Sequence, residues 1–271
     1  MMRRSGFSKN SKRIFNISPA FAAKTTWDLD VDGPLVLDAS ATTYIITPLG
    51  NFDVPTKVWG PGSTNNGSSY LGACGGAAVA TVRFQSGVAM KMNAGTIGST
   101  GVPGVPGGGV GARTFGALDG SGFSGLRNNS DNASILIAGG AGGPGYGNSA
   151  GPGGGTTGGI STSFVPSTGH VPAGQTSGGT NPDGGGSGTF QQGGTGDSYS
   201  GGGGGGHYGG AGGGSTAGGG GGGGGGSGYA HPVLCQGATL YTGTTTNPGN
   251  NSDPDKGTAG NIAAGGRVRL A

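Results

Sequence analysis

The run GGGGGGHYGGAGGGSTAGGGGGGGGGSGY, residues 201–229, decides how this chain can fold. Glycine loses more backbone entropy on folding than any other residue. Blocks such as Gly201–Gly206 and Gly218–Gly226 therefore order only if something large compensates. Polyproline-II helices offer a way: three residues per turn, a rise of about 3.1 Å and no internal hydrogen bonds. Every N–H and C=O then points outward. Without side chains, such helices can approach closely enough to bond one another in all directions. A lattice of helices then meets the backbone's hydrogen-bonding needs, which otherwise demand α-helix or sheet. A six-residue block spans about 19 Å and a nine-residue block about 28 Å on that rise. Interior passes require pure Gly, whereas edge passes accept Ala, Ser, Thr and Pro.

Outward from this run, Gly139–Tyr146, Gly151–Gly155 and Gly184–Gly188 read as further passes, and Gly supplies 73 of the 271 residues. Collagen needs Gly at every third position. Only Gly98, Gly101, Gly104 and Gly107 keep that register, so collagen is rejected. Disordered chains carry high net charge and few apolar residues. Here 9% of residues are charged and 31% hydrophobic, which favours ordered glycine structure.

The remainder reads as β-structure. All eleven acidic residues are Asp, and the charge-paired patterns of long helices are missing. Thr42–Thr47, Phe52–Val54, Lys57–Trp59, Ala77–Gln85 and Val88–Asn93 carry the β-branched, aromatic or alternating character of strands, with Gly and Pro at the turns. Ser134–Ala138 is a continuous apolar run, as in a buried central strand. Val233–Tyr241 and Arg267–Leu270 add two more. Because strands recur at the C-terminal end, the glycine region is expected inside a β-sandwich rather than appended to it. The expected layout is a basic extended arm over 1–24 and sandwich strands over 25–100. A glycine-rich insert follows over 101–265, with intervening strands near 133–138 and 233–241, and a closing strand over 266–271.

Six of the fourteen basic residues (Arg3, Arg4, Lys9, Lys12, Arg13 and Lys24) fall in the first 24 positions with no acid among them. The other eight against eleven Asp leave the body at −3. This predicts an assembly arm whose Arg3, Arg4, Phe7, Lys9, Lys12, Arg13 and Phe15 order only on a partner. It argues against nucleic acid as the main ligand, since one short arm offers few phosphate contacts. No stretch of 18 apolar residues is present, so no membrane insertion is expected. The candidate signal core Ile14–Ala23 is interrupted by Asn16, Ser18 and Pro19, so the chain is expected to be made in the cytoplasm unprocessed.

No chemistry declares itself. A phosphate-binding loop needs Gly-Lys-Ser/Thr, whereas Lys256-Gly257 runs in reverse. His207, His231 and Cys235 are the only grouping with metal-ligand character, and their spacing does not favour zinc. Asp28, Asp30 and Asp32 alternate beside Gly33, but an EF-hand also needs its Glu at position twelve. A solvated strand edge is expected there. Cys74 and Cys235 read as small buried thiols. The expectation is a non-enzymatic chain with no cofactor and no metal. His207, Tyr208, Tyr229 and Tyr146 sit at breaks in the glycine blocks, where bulky side chains reach only the ends or outside of a lattice. They are candidate cap residues and candidate receptor or partner contacts.

Val58-Trp59-Gly60, Gly75-Gly76-Ala77, Ile137-Ala138-Gly139-Gly140, Gly201–Gly210 with its embedded His207-Tyr208, and Gly218–Tyr229 form a pattern. It resembles the glycine-rich domains of bacteriophage tail fibre and adhesin proteins, and the glycine-rich extracellular domain of the anaplastic lymphoma kinase receptor family. The resemblance covers roughly residues 40–271. It implies an all-β fold: a tumour-necrosis-factor-like antiparallel β-sandwich with an inserted bundle of glycine-rich polyproline-II helices. It also implies a threefold assembly. The function implied is that of a virion structural protein of the tail or fibre apparatus contributing to host attachment. Its partners would be other virion proteins, copies of itself and a bacterial surface receptor. A head, neck or decoration protein tethered by the basic arm is the alternative, and a cell-surface ligand-binding module the second.

Overall fold

The computed structural model describes residues 12–65, 71–112, 116–161, 170–216 and 219–271. Fourteen strands occur among them. In chain order they are β1 (Ile14–Phe21), β2 (Lys24–Asp28), β3 (Leu35–Asp38), β4 (Tyr44–Pro48), β5 (Phe52–Trp59), β6 (Ala77–Phe84) and β7 (Met90–Asn93). Then come β8 (Ser124–Asn128), β9 (Ser134–Ala138), β10 (Ser215–Thr216), β11 (Gly219–Gly220), β12 (Tyr229–Ala230), β13 (Cys235–Tyr241) and β14 (Arg267–Leu270). A seven-stranded sheet has the order β12-β9-β8-β7-β4-β1-β2, and a five-stranded sheet the order β13-β6-β5-β14-β3, with antiparallel pairing throughout.

The inner faces meet in one core. Phe15 of the larger sheet contacts Phe52 and Phe84 of the smaller one edge-on, with centroids 5.2 and 5.0 Å away. Alternation does the sorting. In β5, Phe52, Val54, Thr56 and Val58 point inward, and in β14 Val268 and Leu270 do. The sequence pattern breaks β5 at Pro55, yet the strand runs through it. The Pro55 carbonyl accepts from Ala271, so the missing N–H also faces the β14 side, beyond the last β14 pair at Thr56 and Leu270. The one bond that Pro55 cannot donate, to the Ala271 carbonyl at the end of the ladder, is replaced by one from Arg13 Nη1.

Beyond one end of the sandwich the glycine segments form the expected lattice, and its bonding has a threefold screw. Gly201 and Gly204 donate to Gly221 and Gly224, Gly202 and Gly205 to Leu118 and Ser121, and Gly203 to Gly194. The donor direction thus repeats every third residue, as polyproline-II geometry requires. The carbonyls do likewise. Gly201 and Gly204 accept from Gly213 and Gly210, Gly202 and Gly205 from Gly143 and Gly140, and Gly203 from Gly109. Three neighbouring segments accept from this pass and three others donate to it, which is hexagonal packing. Buried backbone groups are satisfied without sheet or α-helix.

Two expected boundaries change. The arm does not extend to residue 24, because β1 lies between β2 and β4 with Phe15 and Ile17 in the core. Only Lys12 and Arg13 of the expected arm's charged residues before β1 are described, and Arg3, Arg4, Phe7 and Lys9 lie outside the described residues. Arg13 is an intramolecular partner: it holds Asp30 at 2.7 Å and donates to the Ala271 carbonyl at 3.0 Å. The glycine region is also not one insert over 101–265. Gly60–Ser63 and Gly72–Gly76, between β5 and β6, already belong to the lattice, as Gly60 N bonds Gly76 O and Gly76 N bonds Gly139 O. Lattice passes and strands alternate along the chain.

This alternation gives the molecule two unlike ends. Trp59, Ala77, Ala138 and Arg267 lie at strand termini that open into the lattice or its border, while Ile14, Phe52, Phe84 and Pro48 lie at the opposite, basal end. At the far end of the lattice the chain turns back on itself. There Tyr146 N bonds Tyr199 O and Gly220 N bonds Tyr146 O. Tyr146 and Tyr199 are 39% and 40% exposed.

Candidate functional site at the junction of lattice and sheet

Three of the four ring-bearing candidates come together; the fourth does not. Gly206 ends a lattice pass, and the side chain of His207 turns onto the outer face of β9. It stacks on Tyr229 with centroids 4.0 Å apart and planes 20° apart. Tyr208 meets His207 edge-on at 5.0 Å. Phe190, from a neighbouring turn, meets His207 at 5.5 Å and Tyr208 at 5.7 Å. Tyr146 is at the distal end with Tyr199, a lattice pass away.

The rings cap the lattice where it abuts the larger sheet. His207 is 8% exposed, and its Nδ1 lies 2.9 Å from Ser134 Oγ. Desolvation holds its pKa below the ordinary value of 6.5, against a hydrogen bond with the Gln175 backbone that acts the other way. The sign follows. The folded state binds this proton less readily than the unfolded chain, so the stability is fully present above 6.5. It falls as pH drops from 6.5 towards the lower folded pKa. Between pH 7.5 and 5 the melting temperature is expected to decline, and His207→Gln to flatten that decline. An equal slope in both proteins would show that His207 contributes nothing to it.

A polar network runs sideways from His207. Gln191 Nε2 donates to Asn132 O at 2.6 Å and lies 3.3 Å from Ser134 Oγ. Its Oε1 accepts from Arg127 Nη1 at 3.0 Å, and Arg127 Nη2 donates to Asn93 Oδ1 at 2.6 Å. Gln191 has φ of 62°, in the left-handed region where side chains are strained. Its backbone is held by the bond from its N–H to His207 O, 3.1 Å. Lys91 Nζ reaches Asn132 Oδ1 at 2.5 Å. The sequence marked His207, Tyr208 and Tyr229 by their place in the glycine blocks. It gave no mark to Phe190, Gln191, Arg127 or Lys91, which are distant in the chain and meet only through the lattice.

The other candidates resolve into structural roles. Asp30 pairs with Arg13, and Asp32 with Lys24 and the Asp28 N–H, so the three aspartates brace the turn after the edge strand β2. Cys74 and Cys235 are both buried free thiols. Burial raises the Cys235 pKa to about 11, and its Sγ donates to Ile135 O at 3.2 Å. Among the described residues, no three His, Cys, Asp or Glu side chains group as metal ligands, and no helix is long and apolar enough to cross a membrane. No protein family model matches the chain, and the search of curated proteins found no match.

Proposed function

We propose that this chain is a bacteriophage virion protein of the tail or fibre apparatus that contributes to host attachment, assembling with copies of itself and other particle proteins. The observation that supports this reading is the polarity of the fold. Residues Lys12 and Arg13 lie at the basal end of the sandwich, and the distal turns with exposed Tyr146 and Tyr199 lie at the far end of the lattice. A bundle with backbone bonds in all directions is a stiff spacer, and turns held on a rigid scaffold suit recognition. Exposed tyrosines bring large contact area at low entropic cost. In this reading the basal end faces the particle and the distal turns face the host. The sandwich corner with His207, Tyr208 and Tyr229 joins the two parts.

Particles carrying Tyr146→Ala with Tyr199→Ala are expected to assemble normally and to adsorb to host cells about tenfold more slowly or worse, as for loss of interface tyrosines. Unchanged adsorption would remove the attachment role. Failure to find the chain by mass spectrometry in purified particles would remove the virion role altogether.

A further inference from the structure

Lys91 and Arg127 stand directly opposite each other on the antiparallel strands β7 and β8. Met90, Met92 and Leu126 are in the core, so period-two alternation puts both cations on the outer face of the sheet. Like charges in direct cross-strand register are destabilising. Most other cations among the described residues meet carboxylates: Lys57 has Asp253 and Asp255, Arg83 has Asp53, and Arg267 has Asp38, while Lys256 is held singly by Gly257 O and Asn261 Oδ1. Among the described residues no carboxylate pairs with Lys91 or Arg127. Their partners are the neutral amide oxygens of Asn132, Asn93 and Gln191. Asp131 of the β8–β9 turn, four residues after Arg127, accepts the Ala133 N–H at Oδ1, 2.9 Å.

The surroundings hold the pair rather than neutralise it. Arg127 lies over the Phe123 ring at 5.1 Å, and its Nε is buried with no hydrogen-bond partner. Burial pushes its pKa down by desolvation. Gln191 is kept in a strained conformation to meet it. Beside Gln191 the ring of Phe190 is 43% exposed. Two preplaced cations and their amide partners, with the Phe190 ring connected to them through His207, Ser134 and Gln191, fit the recognition of an anionic group on a ring-shaped, partly apolar body.

We propose that the Lys91–Arg127 pair is a binding site for an oxyanion, the carboxylate or phosphate of an acidic sugar, whose ring lies towards Phe190. The site is separate from the distal turns, so it stands or falls independently of their role in attachment. Titration calorimetry on the full chain would use glucuronate and glucose 6-phosphate as the two sources of the oxyanion and glucose as the neutral control. At least one acidic sugar is expected to bind saturably in the millimolar range, with glucose silent. Lys91→Gln and Arg127→Gln are each expected to weaken that binding about tenfold or more, the loss of one charge-assisted hydrogen bond. Phe190→Ala is expected to weaken it less, through the lost ring contact. Arg127→Gln disturbs a buried network, so Lys91→Gln, on a partly exposed chain, keeps the test decisive if the former fails to fold. Absence of saturable binding by both acidic sugars would overturn the proposal. So would equal binding of glucose, or unchanged affinity in Lys91→Gln.

Discussion

Gly223→Ala is expected to destabilise the protein by about 3 kcal/mol or more, while Gly224→Ala, one residue on, leaves it unchanged or slightly more stable. A methyl group at Gly223 would run into the backbone carbonyl of Gly202, which cannot move aside because it accepts from Gly143 N and its own N–H is bonded to Leu118 O. At Gly224 the nearest atoms to such a methyl group are 3.5 Å away, ordinary contact distance. Neither glycine has a positive φ, so both conformations suit alanine, and only the space differs. Gly224→Ala then gains about 0.4–1 kcal/mol by restricting the unfolded chain. Paired thermal melts would check this, each kcal/mol moving the midpoint by about 2–4 °C in a chain of this size. Equal melting temperatures for the two variants would mean that the block is a flexible tether and not a lattice pass.

Removing residues 2–24 is expected to abolish folding, whereas removing residues 2–11 leaves the sandwich intact. The longer deletion takes out β1 from between β2 and β4, and with it Phe15, whose ring packs edge-on against the touching rings of Phe52 and Phe84. It also leaves the β4 edge unpaired where Phe15 and Ile17 faced Pro48 and Ile46. Phe15→Ala alone is expected to cost about 3–5 kcal/mol, the range for emptying a buried phenylalanine site. Far-UV circular dichroism and urea unfolding of the three variants would decide. A cooperatively folded chain lacking residues 2–24 would show that β1 is dispensable and would restore the reading of that whole segment as an assembly arm.

The N-terminal segment shows where sequence reading stops. Arg13, Asn16, Ser18 and Pro19 sit around Phe15 and Ile17, and the local density of polar and basic residues reads as an arm. In the fold, alternation carries Phe15 and Ile17 inward, while Asn16 and Ser18 face solvent. What makes it a strand is the edge of β4 and the apolar face of Phe52 and Phe84, which are distant from it in the chain. β8 was hidden for a related reason. Ser124-Gly125-Leu126-Arg127-Asn128 has one large apolar residue and weak β-propensity, and it is a strand because β7 and β9 bond it on both sides.

By itself the sequence determined the all-β character, since it lacks the patterns that make helices and carries β-branched or alternating strands in β4, β5, β6 and β14 and a continuous apolar run in β9. It also favoured lateral bonding of the glycine blocks, because polyproline-II helices have no internal hydrogen bonds and buried backbone groups need partners. Only the tertiary structure decided which passes are neighbours. Polyglycine has no side-chain code for register, and any block could in principle lie beside any other. The turns that reverse the chain, such as those around Tyr146, Tyr199 and His207, and the strands that fix each pass's starting point select one lattice from many. The same selection brings Arg127, Gln191 and His207, each from a different segment, into one network. Their meeting is a property of the packed lattice and is written nowhere in the local sequence around any of them.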